Sequence, residues 1–158
     1  MRSPHILLPA LLAAALSLSA ARADDWAQWR GPLRDGTSRE KGLLTQWPQD
    51  GPKLLWQIKD AGAGYGSVAV AGGKLFLTGN EGLDDEFVQA RDARDGKLLW
   101  RARLGKVGNP DQQPSYPGSR TTPTIDGALL YVLGSDGDLQ CLETATGKVR
   151  WQKSLRAD

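Results

Sequence analysis

The sequence predicts an all-β fold made of repeated four-stranded antiparallel sheets. Three observations lead there. The segments Gln89–Trp100 and Gln140–Trp151 superpose without a gap at a period of 51 residues. Two-residue turn signals, Gly72-Gly73 and Asp126-Gly127, fall between short apolar β-prone runs at matching places. No segment after residue 23 shows the apolar period of a helix.

The first 23 residues read as an address. Arg2 and His5 form a short n-region, Ile6 to Leu18 is apolar, and Ala21-Arg22-Ala23 supplies the small-x-small pattern of a signal peptidase site before Asp24. The alternative is a membrane anchor, but 13 residues fall short of the ~20 that span a bilayer. Cleavage removes Arg2 and Arg22, so the basic residues drop from 20 to 18 against 18 acids, and the +2 formal charge goes to zero. It also removes His5, the one histidine, and with it any His base, triad or His metal ligand. A neutral chain argues against a dedicated nucleic-acid binder. The one Cys excludes an internal disulfide framework and a four-Cys zinc site.

After the signal peptide (1–23) comes a lead-in over 24–52, rich in Trp and turn residues. Gly51 to Trp56 echoes Asp95 to Trp100, so 53–59 is expected to be an isolated outer-type strand. The first full repeat, 62–104, is expected to hold strands at Ser67–Val70, Leu75–Thr78, Glu86–Arg91 and Lys97–Arg101, with a long loop from Asn80 to Glu86. A loop follows over 105–118. The second repeat, 119–155, is expected to hold strands at Thr122–Ile125, Leu129–Leu133, Leu139–Leu142 and Lys148–Gln152.

A tryptophan closes each copy at the same place: Trp56, Trp100 and Trp151. Sheets arranged radially must bury their faces against each other, and a large flat ring on the outer strand can wedge into that junction. Ala90 and Cys141 leave room beside the ring, Asp92 and Glu143 are placed to accept backbone N–H groups in the turn, and Gly96 and Gly147 supply the turn. Loss of such a ring costs ~3–5 kcal/mol.

The pattern Ala90-x-Asp92-x-x-Asp95-Gly96-x-x-x-Trp100, with Cys141, Glu143, Thr146, Gly147 and Trp151 in the second copy, resembles the tryptophan-docking motif of pyrroloquinoline-quinone (PQQ)-like β-propeller repeats. Asp95, Cys141 and Glu143 are departures from that motif. The lead-in Asp25-Trp26-Ala27-Gln28-Trp29-Arg30-Gly31-Pro32 resembles that of exported bacterial propellers of the quinoprotein alcohol dehydrogenase-like superfamily, including BamB-like proteins. The resemblance implies four-stranded blades around a central channel. Propellers close with about 4–8 blades. This chain carries about two and one extra strand, and so reads as an N-terminal fragment of a longer chain whose missing blades are its partners. A two-blade protein that assembles into a ring is the alternative.

The resemblance also implies what a true quinoprotein dehydrogenase would need: PQQ over the channel, a calcium ion with Glu, Asn and Asp ligands, an Asp base, and in many a disulfide between adjacent cysteines. One Cys makes that disulfide impossible here. Asp84-Asp85-Glu86 could suit a hard cation or be a solvated hairpin tip, and Ser135-Asp136-Gly137-Asp138 is short of a calcium loop and reads as a turn. No metal site and no catalytic residue is assigned. Cys141 fills the small slot beside the ring, with no His to activate it. Trp26 and Trp29 could form a sugar-binding pair or pack the lead-in against the ring.

The ligand-facing candidates lie before each innermost strand: Tyr65 in Gly62–Ser67, and Arg120, its equivalent at an offset of 55. Arg120 could meet a carboxylate or phosphate bidentately or be an exposed loop Arg. Two functions stay open. One is a non-catalytic exported propeller, periplasmic or extracellular, that binds a protein or small molecule at the channel face. The other is the N-terminal part of a PQQ-dependent alcohol or sugar dehydrogenase whose catalytic residues are not in this chain.

Overall fold

The computed structural model describes residues 24–108 and 116–156. The signal-peptide reading and Asn109 to Ser115 of the 105–118 loop lie outside them. The eight strands form two sheets of four. The first sheet runs β1 (Ala69–Ala71), β2 (Lys74–Glu81), β3 (Asp85–Asp92) and β4 (Leu98–Gly105). The second runs β5 (Thr124–Asp126), β6 (Leu129–Leu133), β7 (Asp138–Glu143) and β8 (Val149–Ser154). Each sheet is an antiparallel meander in chain order. Among the described residues there is no helix, and none long and apolar enough to cross a membrane. The described residues are all-β and form two blades of a propeller.

The two sheets pack face to face. Ala69, Phe76, Val88, Ala90 and Leu104 of the first meet Leu130, Val132 and Leu142 of the second in one buried cluster. On β3 Val88 and Ala90 lie two apart, so they share the face of the first blade that meets the second. Both copies carry the same irregularity. Ala90 pairs with Trp100 but Arg91 with Leu98; Cys141 pairs with Trp151 but Leu142 with Val149. One extra residue, Leu99 or Arg150, bends the outer strand just before the ring-bearing position.

Several boundaries differ from expectation: β1 and β5 begin two residues later, at Ala69 and Thr124, and β4 runs past Arg101 to Gly105. Asn80, Glu81, Asp85 and Glu86 are not loop. They pair as Asn80↔Glu86 and Glu81↔Asp85, which carries the hairpin out to Gly82–Asp84. Residues 53–59, the expected isolated segment, join no ladder among the described residues. Trp56 anchors the segment through its Nε1, which donates to the Ala93 carbonyl at 3.2 Å, and Ile58 lies with the Trp56 ring against Gly96.

Candidate functional site at the loop face

The docking turns come first, because they set the blades. In the first blade Gly96 N donates to Asp92 O at 2.9 Å and Asp92 N to Lys97 O at 2.9 Å. In the second, Gly147 N to Glu143 O and Glu143 N to Lys148 O repeat both distances. Gly96 and Gly147 have φ of 74° and 71°, and a Cβ there would fall 2.8 Å from the Trp56 ring and 2.5 Å from the Trp100 ring. Positive φ and close approach both demand glycine. Trp100 Nε1 donates to the Thr144 carbonyl at 3.1 Å, as Trp56 does to Ala93. Each ring therefore lies on the turn of the following blade. Trp151 faces Tyr131 at 6.2 Å between centroids, as Trp100 faces Phe76 at 6.1 Å. Cys141 is fully buried opposite Trp151.

The two acids differ in use. Asp92 Oδ1 accepts the Arg94 backbone N–H at 2.8 Å, and the Arg94 guanidinium, bonded at 2.6 Å, holds its carboxyl down to about 2. Glu143 instead accepts the Thr146 hydroxyl at 2.8 Å and Arg150 at 3.0 Å, and both lower its pKa. The longer side chain reaches past the backbone N–H groups of its turn to the Thr146 hydroxyl.

At the opposite end of the blades, the segments that lead into β1 and β5 are laced together. Ala63 and Asn80 exchange backbone bonds at 3.0 and 2.8 Å, and Tyr65 N donates to Ser119 O at 2.7 Å. Ser119 N donates to Asn80 Oδ1 at 3.0 Å, and Thr78 Oγ1 to Thr121 O at 2.7 Å. Gly66 makes this approach possible, since a Cβ there would lie 2.5 Å from Thr121 O. The lacing brings the two sequence candidates into contact: the Arg120 guanidinium carbon lies 4.9 Å from the centre of the Tyr65 ring. Arg120 also donates to the Tyr116 carbonyl. Tyr65 and Tyr116 are 59% and 66% exposed, so the cluster presents two phenols and a cation to solvent.

Beside it lies a carboxylate that sequence reasoning placed in a solvated tip. Glu86 is fully buried and accepts Ser135 N at 2.8 Å and Ser135 Oγ at 2.7 Å, joining the blades. Ser135 Oγ is itself bonded by Gly108 N at 2.9 Å. The neighbouring acids turn outward: Asp85 meets Arg101 at 2.6 Å, and Asp84 lies 3.8 Å from Lys106. The Asp84-Asp85-Glu86 triplet is thus divided between two environments and does not fit a calcium ion. Among the described residues no group of three or more His, Cys, Asp or Glu side chains is placed to hold a metal. Trp26 packs against Gly31 and pairs with Val70, whereas Trp29 is 60% exposed under Arg30. No ring contact joins those two among the described residues.

Residues 36–158 match the family model described as outer membrane protein assembly factor BamB. The chain belongs to that family. Its BamB relative from Salmonella typhimurium is 25% identical over 92 residues, covering 58% of this chain and 22% of the relative. The relative from Shigella dysenteriae is 24% identical over 106 residues, 67% of this chain and 24% of its own. This chain therefore spans about a quarter of the length of these BamB relatives. The crystal structure of BamB from Moraxella catarrhalis shares its fold at a TM-score of 0.50, with 21% identity over 63% of this chain and 27% of that one.

Proposed function

We propose that this BamB-family chain contributes two blades to an exported β-propeller that acts as a non-catalytic scaffold, with its loop face turned to a protein partner. The observation that carries this is the Tyr65–Arg120–Tyr116 cluster. It is a cation over the exposed Tyr65 ring, tied to the Tyr116 main chain, on a backbone fixed by Ser119, Asn80 and Thr121. Tyr and Arg are the residues that anchor protein interfaces, because they offer large rigid contact area and directional donors. The relatives' name ties them to assembly of outer membrane proteins, and we carry that to this chain as the setting of its partner. The signal-peptide pattern of Met1–Ala23 supports export.

The test uses the full-length protein in its own cells. A photo-crosslinking residue at Tyr65 or Arg120 is expected to trap a discrete protein partner, and one at Asp95, at the other end of the blades, is not. Stoichiometric binding of PQQ and Ca²⁺ with dye-linked alcohol oxidation would overturn the scaffold reading and establish the dehydrogenase.

A further inference from the structure

Two acidic runs, Asp84-Asp85-Glu86 and Ser135-Asp136-Gly137-Asp138, each send one carboxylate into the seam between the blades. Glu86, on β3, is fully buried, and its Oε2 accepts both bonds from Ser135. Asp138 opens β7 and is half-buried. The two meet at glycines. Glu86 pairs with Gly105 on β4, so a side chain at Gly105 would project on the same face as Glu86. A Cβ there would overlap Asp138 Oδ2. A Cβ at Gly134 would lie 3.4 Å from Glu86 Oε2 and 3.6 Å from Asp138 Cβ. Neither glycine has a positive φ, so what both provide is room for the carboxylates.

A third side chain enters from the strand of Asp138. Gln140 is two residues on, and so shares its face. It is buried, and its Nε2 donates to Arg103 O at 3.2 Å and Leu104 O at 3.3 Å, the carbonyls that precede Gly105. Its Oε1 and Glu86 Oε1 are both buried without a hydrogen-bond partner among the described residues. The nearby cations are committed to other acids: Arg101 and Arg103 to Asp85, Lys106 to Asp84, and Arg156 to Asp136. Two carboxylates and an amide oxygen thus gather around Gly105 without a counter-ion among the described residues.

We propose that Glu86, Asp138 and Gln140 form a site for a hard divalent cation, Ca²⁺, that ties the two blades together. Ca²⁺ takes carboxylate, amide and carbonyl oxygens and water in flexible geometry. A water would donate to two of these oxygens and leave two negative charges uncompensated, whereas a divalent cation matches both. The half-exposure of Asp138 leaves a way in from solvent. Glu86 belongs to the first blade and the other two to the second, so the ion bridges the seam. The site is built from β3, β4 and β7, not from the innermost strands β1 and β5. It is therefore separate from the calcium over the channel that a quinoprotein dehydrogenase needs.

The test is a calorimetric Ca²⁺ titration of the full-length protein, stripped by chelator and free of PQQ, beside two variants. Asp138→Asn removes one charge. Gly105→Ala keeps all three ligands and puts a methyl where the Asp138 carboxylate lies. The expected result is one Ca²⁺ per chain whose binding is at least tenfold weaker in each variant, with an unfolding midpoint that Ca²⁺ raises in the unsubstituted protein alone. No Ca²⁺ bound by the unsubstituted protein, or equal binding in either variant, would overturn the proposal. If the variants do not fold, the unsubstituted protein decides. Tb³⁺ in place of Ca²⁺ must then give an anomalous diffraction peak between Glu86 and Asp138, and a peak only elsewhere, or none, overturns it. The titration contains no quinone, so its outcome is separate from the PQQ test and from the trap at Tyr65 or Arg120.

Discussion

Trp100 Nε1 donates to the carbonyl of Thr144, 44 residues away, at 3.1 Å. That bond fixes the ring over Gly147 and sets one blade on the next. Replacing Trp100 by Ala is expected to remove ~3–5 kcal/mol of stability. Trp100→Phe keeps most of the apolar contact and should cost less, with ~1 kcal/mol of it from the lost bond. Equilibrium denaturant unfolding ranks the two, and equal losses would show that the ring does not fill the junction.

The turn glycines separate two costs. Gly147→Ala places a methyl 2.5 Å from the Trp100 ring at a φ of 71°, whereas Gly127→Ala, at a φ of 56°, meets nothing within 4 Å. Both incur the left-handed backbone cost of ~1 kcal/mol, and only the first also displaces the ring. Thermal unfolding should show the larger fall for Gly147→Ala by several degrees.

Much of this was legible before any coordinates. Gly96, Trp100, Gly147 and Trp151 recur at a fixed spacing because one packing contact is made again and again, and repetition is visible in a single sequence. The Glu86–Ser135 contact is not repeated. Its acid stands in the run Asp84-Asp85-Glu86, which has the composition of a wet turn, and its burial is decided by a residue 49 positions away. The pairing of Trp26 with Val70 was hidden for another reason: it is made by backbone atoms, which every sequence has. Tyr65 and Arg120 were found by repeat equivalence, and their mutual contact came from the lacing of Ser119 and Asn80, which carries no pattern.

Glu86→Gln tests the buried junction. It keeps a neutral acceptor for Ser135, so a double-mutant cycle with Ser135→Ala reads the difference between a bond to a carboxylate and one to an amide and should give a coupling of ~1 kcal/mol. A coupling near zero would mean that the carboxylate holds the Ser135 hydroxyl no more strongly than an amide does.

Acid should release the first docking turn late. Asp92 is held at about 2, chiefly by its bond to Arg94, below an ordinary Asp near ~3.9. A depressed carboxyl pKa stabilises the fold above the ordinary value, and that contribution fades as pH falls through the folded value. The Asp92 carboxyl carbon should therefore titrate with a midpoint near 2, and Asp92→Asn should flatten the stability profile between the two values. A midpoint near ~3.9 would mean that the Arg94 pair does not form.

The docking contact has a direction. One side offers a ring and the next blade offers a turn: Trp56, on the segment before the first blade, with Gly96, and Trp100 of the first blade with Gly147. Surfaces joined this way are heterologous, and such contacts propagate by a constant rotation until the rotation closes on itself. The angle between neighbouring blades is then set at the seat between one indole and one glycine. Mutations at that seat would alter both how firmly the blades hold and the angle at which they meet.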